Sequence, residues 1–277
     1  MRKEEIKKVV RERYANVAKK DSSCCAPSSS CCGGTDLVQD ISKAIGYSEA
    51  ELNSVPEGAN LGLGCGNPVA LASLKEGEIV LDLGSGGGFD CFLAANKVGK
   101  NGKVIGVDMT PEMVEKAREN VRKGNYVNVE FRLGEVENLP VADNHVDVII
   151  SNCVINLSPD KKRVFEEAFR VLKPGGRLMV SDIVLLDELP ALIRNSVAAY
   201  IGCLSGAIMK DEYIEAVKAV GFKNVSIVDE TSFPLDCMAN DPTAQALVND
   251  SGIPLAELRK VGNSARSVKV YAAKPAK

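Results

Sequence analysis

From residue 78 onward, short apolar runs alternate with segments of helical periodicity. The runs are EIVLDLG (78–84), GKVIGVD (102–108), NVEFRLG (128–134), VDVIISN (146–152) and RLMVSDIV (177–184). Between them, residues 89–98, 111–123 and 160–172 space their apolar side chains as one face of a helix does. Strands that are apolar nearly throughout, each followed by a helix, predict a parallel sheet covered on both faces. Thr110-Pro111-Glu112 predicts the start of the second helix: Thr caps, Pro fits the first turn and Glu faces the positive end of the dipole. Lys173-Pro174-Gly175-Gly176 is expected to end the third helix and turn into the fifth strand. A further helix is predicted at 211–220, stopped by Gly221. VSIVDE (225–230) and VKVYAA (268–273) are expected to complete the sheet as an antiparallel pair, with an irregular helical insertion at 234–264 between them.

Upstream the pattern differs. Residues 1–20 form an amphipathic repeat, with Ile6, Val9, Val10 and Val17 at helical spacing among Lys and Glu. DSSCCAPSSSCCGGTD (21–36) has no periodicity and predicts an irregular, mobile segment. Short helices are expected at 40–45 and from Ser48, a good N-cap, to Leu52. A Gly-rich loop at 60–72 runs into a further helical turn that Pro68 can open. The expected organisation is an N-terminal helical and Cys-rich arm (1–74), a Rossmann-like core (75–185), and a part that completes the sheet (186–277). The fold class is α/β, doubly wound, with a mostly parallel seven-stranded sheet.

Composition narrows the function classes. The 277 residues are 45% hydrophobic and 26% charged, so a sizeable core needs no disulfides. With 34 basic and 37 acidic residues the net charge is -3, which argues against nucleic acid or an anionic membrane as the main partner. No apolar run is long enough for a membrane helix, and MRKEEIKKVV lacks the apolar core of a signal peptide. A soluble cytoplasmic protein is therefore expected, with its nine cysteines held as thiols. The single histidine rules out a zinc site built on several histidines.

Asp82-Leu83-Gly84-Ser85-Gly86-Gly87-Gly88 follows the first strand and precedes a helix, the context of a nucleotide-binding turn. The dinucleotide fingerprint would require glycine where Phe89 stands, and no Gly-Lys-Ser/Thr follows. Asp108 ends the second strand, where a carboxylate can accept both ribose hydroxyls, and Met109 could cover an adenine. This combination resembles the class I S-adenosylmethionine-dependent methyltransferases. By that resemblance Gly84 and Gly86 face the amino-acid end of the cofactor, and Asp82 and Ser85 belong to the cofactor-binding residues. Glu135 and Val136 would then lie near the adenine and Asn152 near the methionine part.

In an open α/β sheet, ligands lie beyond the carboxyl ends of the strands. Cys153 directly follows the fourth strand, at the position that would face the methyl acceptor. Cys65 sits in the loop before the first strand and Cys203 in a Gly-containing segment after the fifth. Three thiolates converging there make a soft trigonal site. Trivalent arsenic takes such ligands and keeps a lone pair for methylation. Cys91 and Cys237 read as packing residues, and His145 as part of a turn entering the fourth strand.

At this point the chain resembles the arsenite methyltransferases, from the first helix to the Cys203 region. The marks are the Cys65 loop, the Asn152-Cys153 pair, the Cys203 segment and the paired Cys24-Cys25 and Cys31-Cys32. The resemblance implies arsenite as substrate, related metalloids such as antimony being open. It also implies S-adenosylmethionine as co-substrate, no metal cofactor, and a fourth participating cysteine near the N-terminus. Cys32 is chosen for that role, with Cys31 close behind. A thiol reductant such as glutathione or thioredoxin would restore any disulfide formed. Two alternatives stand beside this reading. One is methylation of an organic acceptor of quinone or sterol type. The other is a non-catalytic, thiol-rich metalloid-binding protein.

Overall fold

Val80, Val104 and Val148 pair across neighbouring strands and point to one side of the sheet. Leu81, Ile105 and Ile149, one residue further on, point to the other. Both sets are buried, so each strand needs helices on both faces. The structure is a computed structural model, and it describes residues 3–20, 34–189, 204, 206–232 and 264–276. Its strands are β1 (Ile79–Leu83), β2 (Lys103–Asp108), β3 (Val129–Leu133), β4 (Val146–Asn152), β5 (Leu172–Leu185), β6 (Lys223–Ser232) and β7 (Ala265–Ala273). They form one seven-stranded sheet in the order β3-β2-β1-β4-β5-β7-β6. β3, β2, β1, β4 and β5 are parallel, while β7 runs antiparallel to both β5 and β6. This is the doubly wound, mostly parallel sheet expected.

The helices are α1 (Lys3–Lys20), α2 (Gly34–Ala44), α3 (Glu49–Asn53), α4 (Pro68–Leu71), α5 (Phe89–Val98), α6 (Pro111–Gly124), α7 (Lys161–Val171) and α8 (Lys210–Ala219). Phe92, Ala94 and Val98 of α5 and Val114 and Ala117 of α6 cover one face. Phe165 and Ala168 of α7 and Tyr213 and Val217 of α8 cover the other. A third apolar cluster forms at the carboxyl edge of the sheet. It joins Val10 of α1, Cys65, Leu157, Ile183 and Leu204.

Several expectations need correction. α2 begins at Gly34, inside the stretch expected to be irregular. Lys173-Pro174-Gly175-Gly176 is not a separate turn. α7 stops when Leu172 takes an extended backbone, and Leu172 already pairs with Val146. Lys173, which precedes Pro174, is sterically barred from continuing the helix. A 3₁₀ turn at Ile155–Leu157 was not foreseen. Thr110 occupies the N-cap of α6 but makes no side-chain cap; its N–H donates instead to Asp108 Oδ1 at 2.8 Å. Ser48 does cap α3, in a reciprocal box with Glu51. The expected insertion at 234–264 lies outside the described residues, apart from Ser264.

Among the described residues, no helix is long and apolar enough to cross a membrane.

Candidate active site

The register of the sheet sets the site. Leu83 of β1 lies beside Val107 of β2 and beside Ser151 of β4. The next residue of each strand region, Gly84, Asp108 and Asn152, is therefore delivered to the same carboxyl edge. A cavity opens there, lined by Asp82, Gly84, Ser85, Gly86, Asp108, Met109, Val136, Asn152 and Cys153 among the expected residues. Lys7, Val10 and Tyr14 of α1 form its cover.

The Gly-rich turn is tied to β2. Gly84 and Ser85 donate their N–H groups to Val107 O at 2.7 and 3.0 Å. Gly86 N–H donates to Asp108 Oδ2 at 3.0 Å. Asp108 thus uses each oxygen once on the backbone and keeps lone pairs for hydroxyl donors in the cavity. Burial raises its pKa, against the opposing effect of those two N–H groups and of the Thr110 hydroxyl. Asp82 and Asp90 are buried and also line the cavity. Among the described residues neither is paired with a Lys or Arg. Asp82 accepts from the Cys91 thiol at 3.2 Å, and Asp90 from Tyr47 and Asn152. Burial pushes both carboxyl pKa values up, Asp82 further through the charge of Asp90.

Three features fit S-adenosylmethionine. Ser85 Oγ is buried in the cavity wall without a hydrogen-bond partner. Two buried carboxylates there have no cationic partner, and the cofactor carries sulfonium and ammonium charges. Asp108 lines the same cavity at the end of β2, where its carboxylate can accept ribose hydroxyls.

Glu135 stands between Gly134 and Val136, which both line the cavity. Its side chain does not line the cavity; it accepts from Lys7 at 2.7 Å and faces Arg11 at 3.5 Å. Val136, the next residue, does line it.

Asn152 does more than line the cavity. Its Oδ1 accepts from Cys65 N–H at 3.0 Å, and its Nδ2 donates to Gly66 O at 2.7 Å. Gly64 has φ +115°, and a Cβ there would sit 2.7 Å from Asn152 Nδ2. Only glycine permits so close an approach. Ser181 of β5 touches both cysteine positions. Its hydroxyl lies 3.9 Å from Cys65 Sγ and its carbonyl accepts from Cys153 N–H at 2.8 Å. Cys65 is buried and Cys153 half-buried, and both pack in the cluster at the sheet edge. Cys153 has φ +60°, which for a residue with a Cβ costs energy.

Cys32, Cys203, Cys237 and the other N-terminal cysteines lie outside the described residues. Leu204, beside Cys203, is buried in the same cluster as Cys65. Cys91 packs as expected, fully buried, and also holds Asp82. Asp90 and Tyr47 escaped sequence reasoning. A lone Tyr and an Asp at the start of a helix carry no spacing signal.

The family described as a methyltransferase domain matches residues 74–221. The arsenite methyltransferase of Halobacterium salinarum is 47% identical over 256 residues, 89% of this chain and 65% of that protein. The human arsenite methyltransferase is 37% identical over 232 residues, 80% of this chain and 59% of that protein. The chain thus spans somewhat less than two thirds of the length of these curated relatives. Among solved structures, an arsenic(III) S-adenosylmethionine methyltransferase from Chlamydomonas reinhardtii superposes with a TM-score of 0.62 at 33% identity. That match covers 86% of this chain and 73% of the other. Strand order, glycine turn, Asp108 and these likenesses agree: the chain belongs to the class I S-adenosylmethionine-dependent methyltransferases and is closely related to the arsenite methyltransferases.

Proposed function

We propose that this chain transfers a methyl group from S-adenosylmethionine to trivalent arsenic held by cysteine thiolates. The observation that carries the reading is the placement of Cys65 and Cys153. Both are fastened to Ser181 at the edge of a cavity that fits the cofactor. In this reading Asp108 takes the ribose hydroxyls, Met109 and Val136 flank the adenine, and Asp82, Gly84, Ser85 and Gly86 surround the amino-acid end. Asn152 stands between that end and Cys65.

The cofactor supplies a methyl group already activated on a sulfonium. The chain's task is to hold arsenic in line with it, and good alignment alone lowers such barriers by several kcal/mol, ~7 or more in well-oriented cases. Cys65, Cys153 and Cys203 are the proposed ligands. Each thiol gives its proton to a hydroxyl of arsenite, which leaves as water. The lone pair left on arsenic is the nucleophile, so no general base is needed there. Methyl transfer breaks the carbon–sulfur bond of the sulfonium and forms a carbon–arsenic bond, which makes arsenic formally pentavalent; two thiolates that close a disulfide give it two electrons and return it to the trivalent state. Cys32 is the proposed partner for thiol exchange, and glutathione or a thioredoxin-type protein is the proposed reductant of that disulfide.

The test is incubation of the full chain with arsenite, labelled S-adenosylmethionine and a thiol. Methylated arsenic is the expected product. Cys153→Ser should lose this activity while still binding the cofactor, measured by calorimetry, since serine keeps the size and backbone of the position and removes only the soft ligand. Full activity in that variant, or methylation of an organic acceptor in place of arsenite, would remove the reading. Tight arsenite binding without methyl transfer would convert it to a metalloid-binding protein.

A further inference from the structure

Tyr47 lies in the turn between α2 and α3 and is buried. Its ring meets Phe89 edge-on, with centroids 4.8 Å apart. Its hydroxyl donates to Asp90 Oδ1 at 2.7 Å and accepts from Asn152 Nδ2 at 2.9 Å. Asn152 Nδ2 also reaches Gly66 O at 2.7 Å and Asp90 Oδ2 at 3.2 Å, while Asn152 Oδ1 holds the N–H of Cys65. Asp90 itself lines the cofactor cavity. An unbroken set of hydrogen bonds therefore joins the cavity wall to the backbone of a proposed arsenic ligand.

The set has one orientation that works. A carboxamide can rotate end for end, which exchanges oxygen and nitrogen. Rotated, Asn152 would point N–H groups at the N–H of Cys65. Tyr47 opposes that rotation, because its hydroxyl gives Asp90 a donor and gives Asn152 Nδ2 an acceptor. Removing the hydroxyl leaves Asp90 one donor short and the Asn152 amide less constrained. The buried setting makes each such loss costly.

We propose that Tyr47 is a positioning residue. Acting through Asp90 and Asn152, it fixes the backbone of Cys65 for arsenic capture and transmits occupancy of the cofactor cavity to that thiol. The arsenic part rests on the function proposed above; the link between cavity and Cys65 does not.

The full chain and its Tyr47→Phe variant are compared by site-resolved alkylation with iodoacetamide, with and without S-adenosylhomocysteine. In the parent chain, S-adenosylhomocysteine should slow alkylation of Cys65 by about fivefold, a common size for coupling between sites. In Tyr47→Phe, Cys65 should react about tenfold faster, the effect of one lost buried hydrogen bond. Its protection by S-adenosylhomocysteine should shrink below about twofold. Fully buried Cys91 should stay unreactive in both, which separates local loosening from unfolding. If Tyr47→Phe exposes Cys91 as well, Asp90→Asn, which keeps the shape and removes the charge, is read by the same two ratios and decides. A parental Cys65 rate, or parental protection, overturns the proposal. In the methylation assay the variant should raise KM for arsenite about tenfold while KM for S-adenosylmethionine stays within about twofold. Should the parent chain fail to methylate arsenite, the substrate reading falls, and the alkylation ratios still decide the role of Tyr47.

Discussion

Asp182 is fully buried on β5, where it accepts from Ile183 N–H at 2.9 Å, Asn156 Nδ2 at 2.8 Å and the Tyr213 hydroxyl at 3.2 Å. Burial outweighs these donors and pushes its pKa up to about 7. The folded state therefore holds a proton that the unfolded chain has released above about pH 4. The stability this proton provides is complete below that point and is lost as pH rises through 7. The loss between about pH 5 and about pH 8 should be of the order of 3 kcal/mol, and Asp182→Asn should flatten it. Urea unfolding at the two pH values checks this; an equal slope in both proteins would contradict it. The place of single residues at the cavity was legible in the sequence where a strand end fixes the chain position, as at Gly84, Asp108, Asn152 and Cys153. Tyr47 and Asp90 were not, because their meaning comes from contacts 43 and 105 residues away in sequence. Glu135 shows a related limit. Its place after β3 locates the backbone, but Lys7 and Arg11 decide where the carboxylate goes.

α1 illustrates the same limit for an element. Its amphipathic repeat predicted the helix, and its apolar face does bury Val10. Periodicity cannot say what that face covers. The charged face does: Lys3 pairs with Asp160, Lys7 with Glu135 and Glu137, and Lys19 with Glu112. These partners come from the N-cap of α7, the segment after β3, and the first turn of α6. The Lys3 and Lys19 side chains are 63% and 62% exposed, so their pairs contribute little. Lys7 is 11% exposed and lines the cavity, so its pairs are better shielded from salt. Lys7→Gln should weaken S-adenosylmethionine binding by about threefold to tenfold, the range expected when a partly buried pair holding a cover is lost. Calorimetry at low and high salt checks it, and unchanged affinity would show that α1 covers the cavity without these pairs. The start of β5 was misplaced because Pro and Gly at 174–176 signal a turn locally. Pairing of Leu172 with Val146 overrides that signal.

For the whole molecule, alternation of strand and helix together with right-handed crossovers makes the sheet parallel and covers both of its faces. The parallel, doubly wound sheet could be read without coordinates; the order β3-β2-β1-β4-β5-β7-β6 could not, because handedness restricts the crossovers without choosing among the neighbours. Cofactor binding should be visible at this scale too. At a hundred times its dissociation constant, S-adenosylmethionine should stabilise the fold by about 2.7 kcal/mol. Thermal unfolding with and without cofactor should show a rise of several degrees, and no rise would count against the cavity as its site. The position of β7 has a different consequence. It follows β6 in the chain yet lies between β5 and β6, with nine residues paired to β5, from Ala265 to Ala273. During synthesis β6 emerges with no strand to join, and the flank of β5 stays open until β7 is made. Sheet closure is thus a late, long-range event, of the kind that slows folding and leaves a nascent chain open to aggregation. The acceptor edge carrying Ser181 and its neighbours is completed only then, so a half-made chain could hold the glycine turn before it could hold the thiols in place.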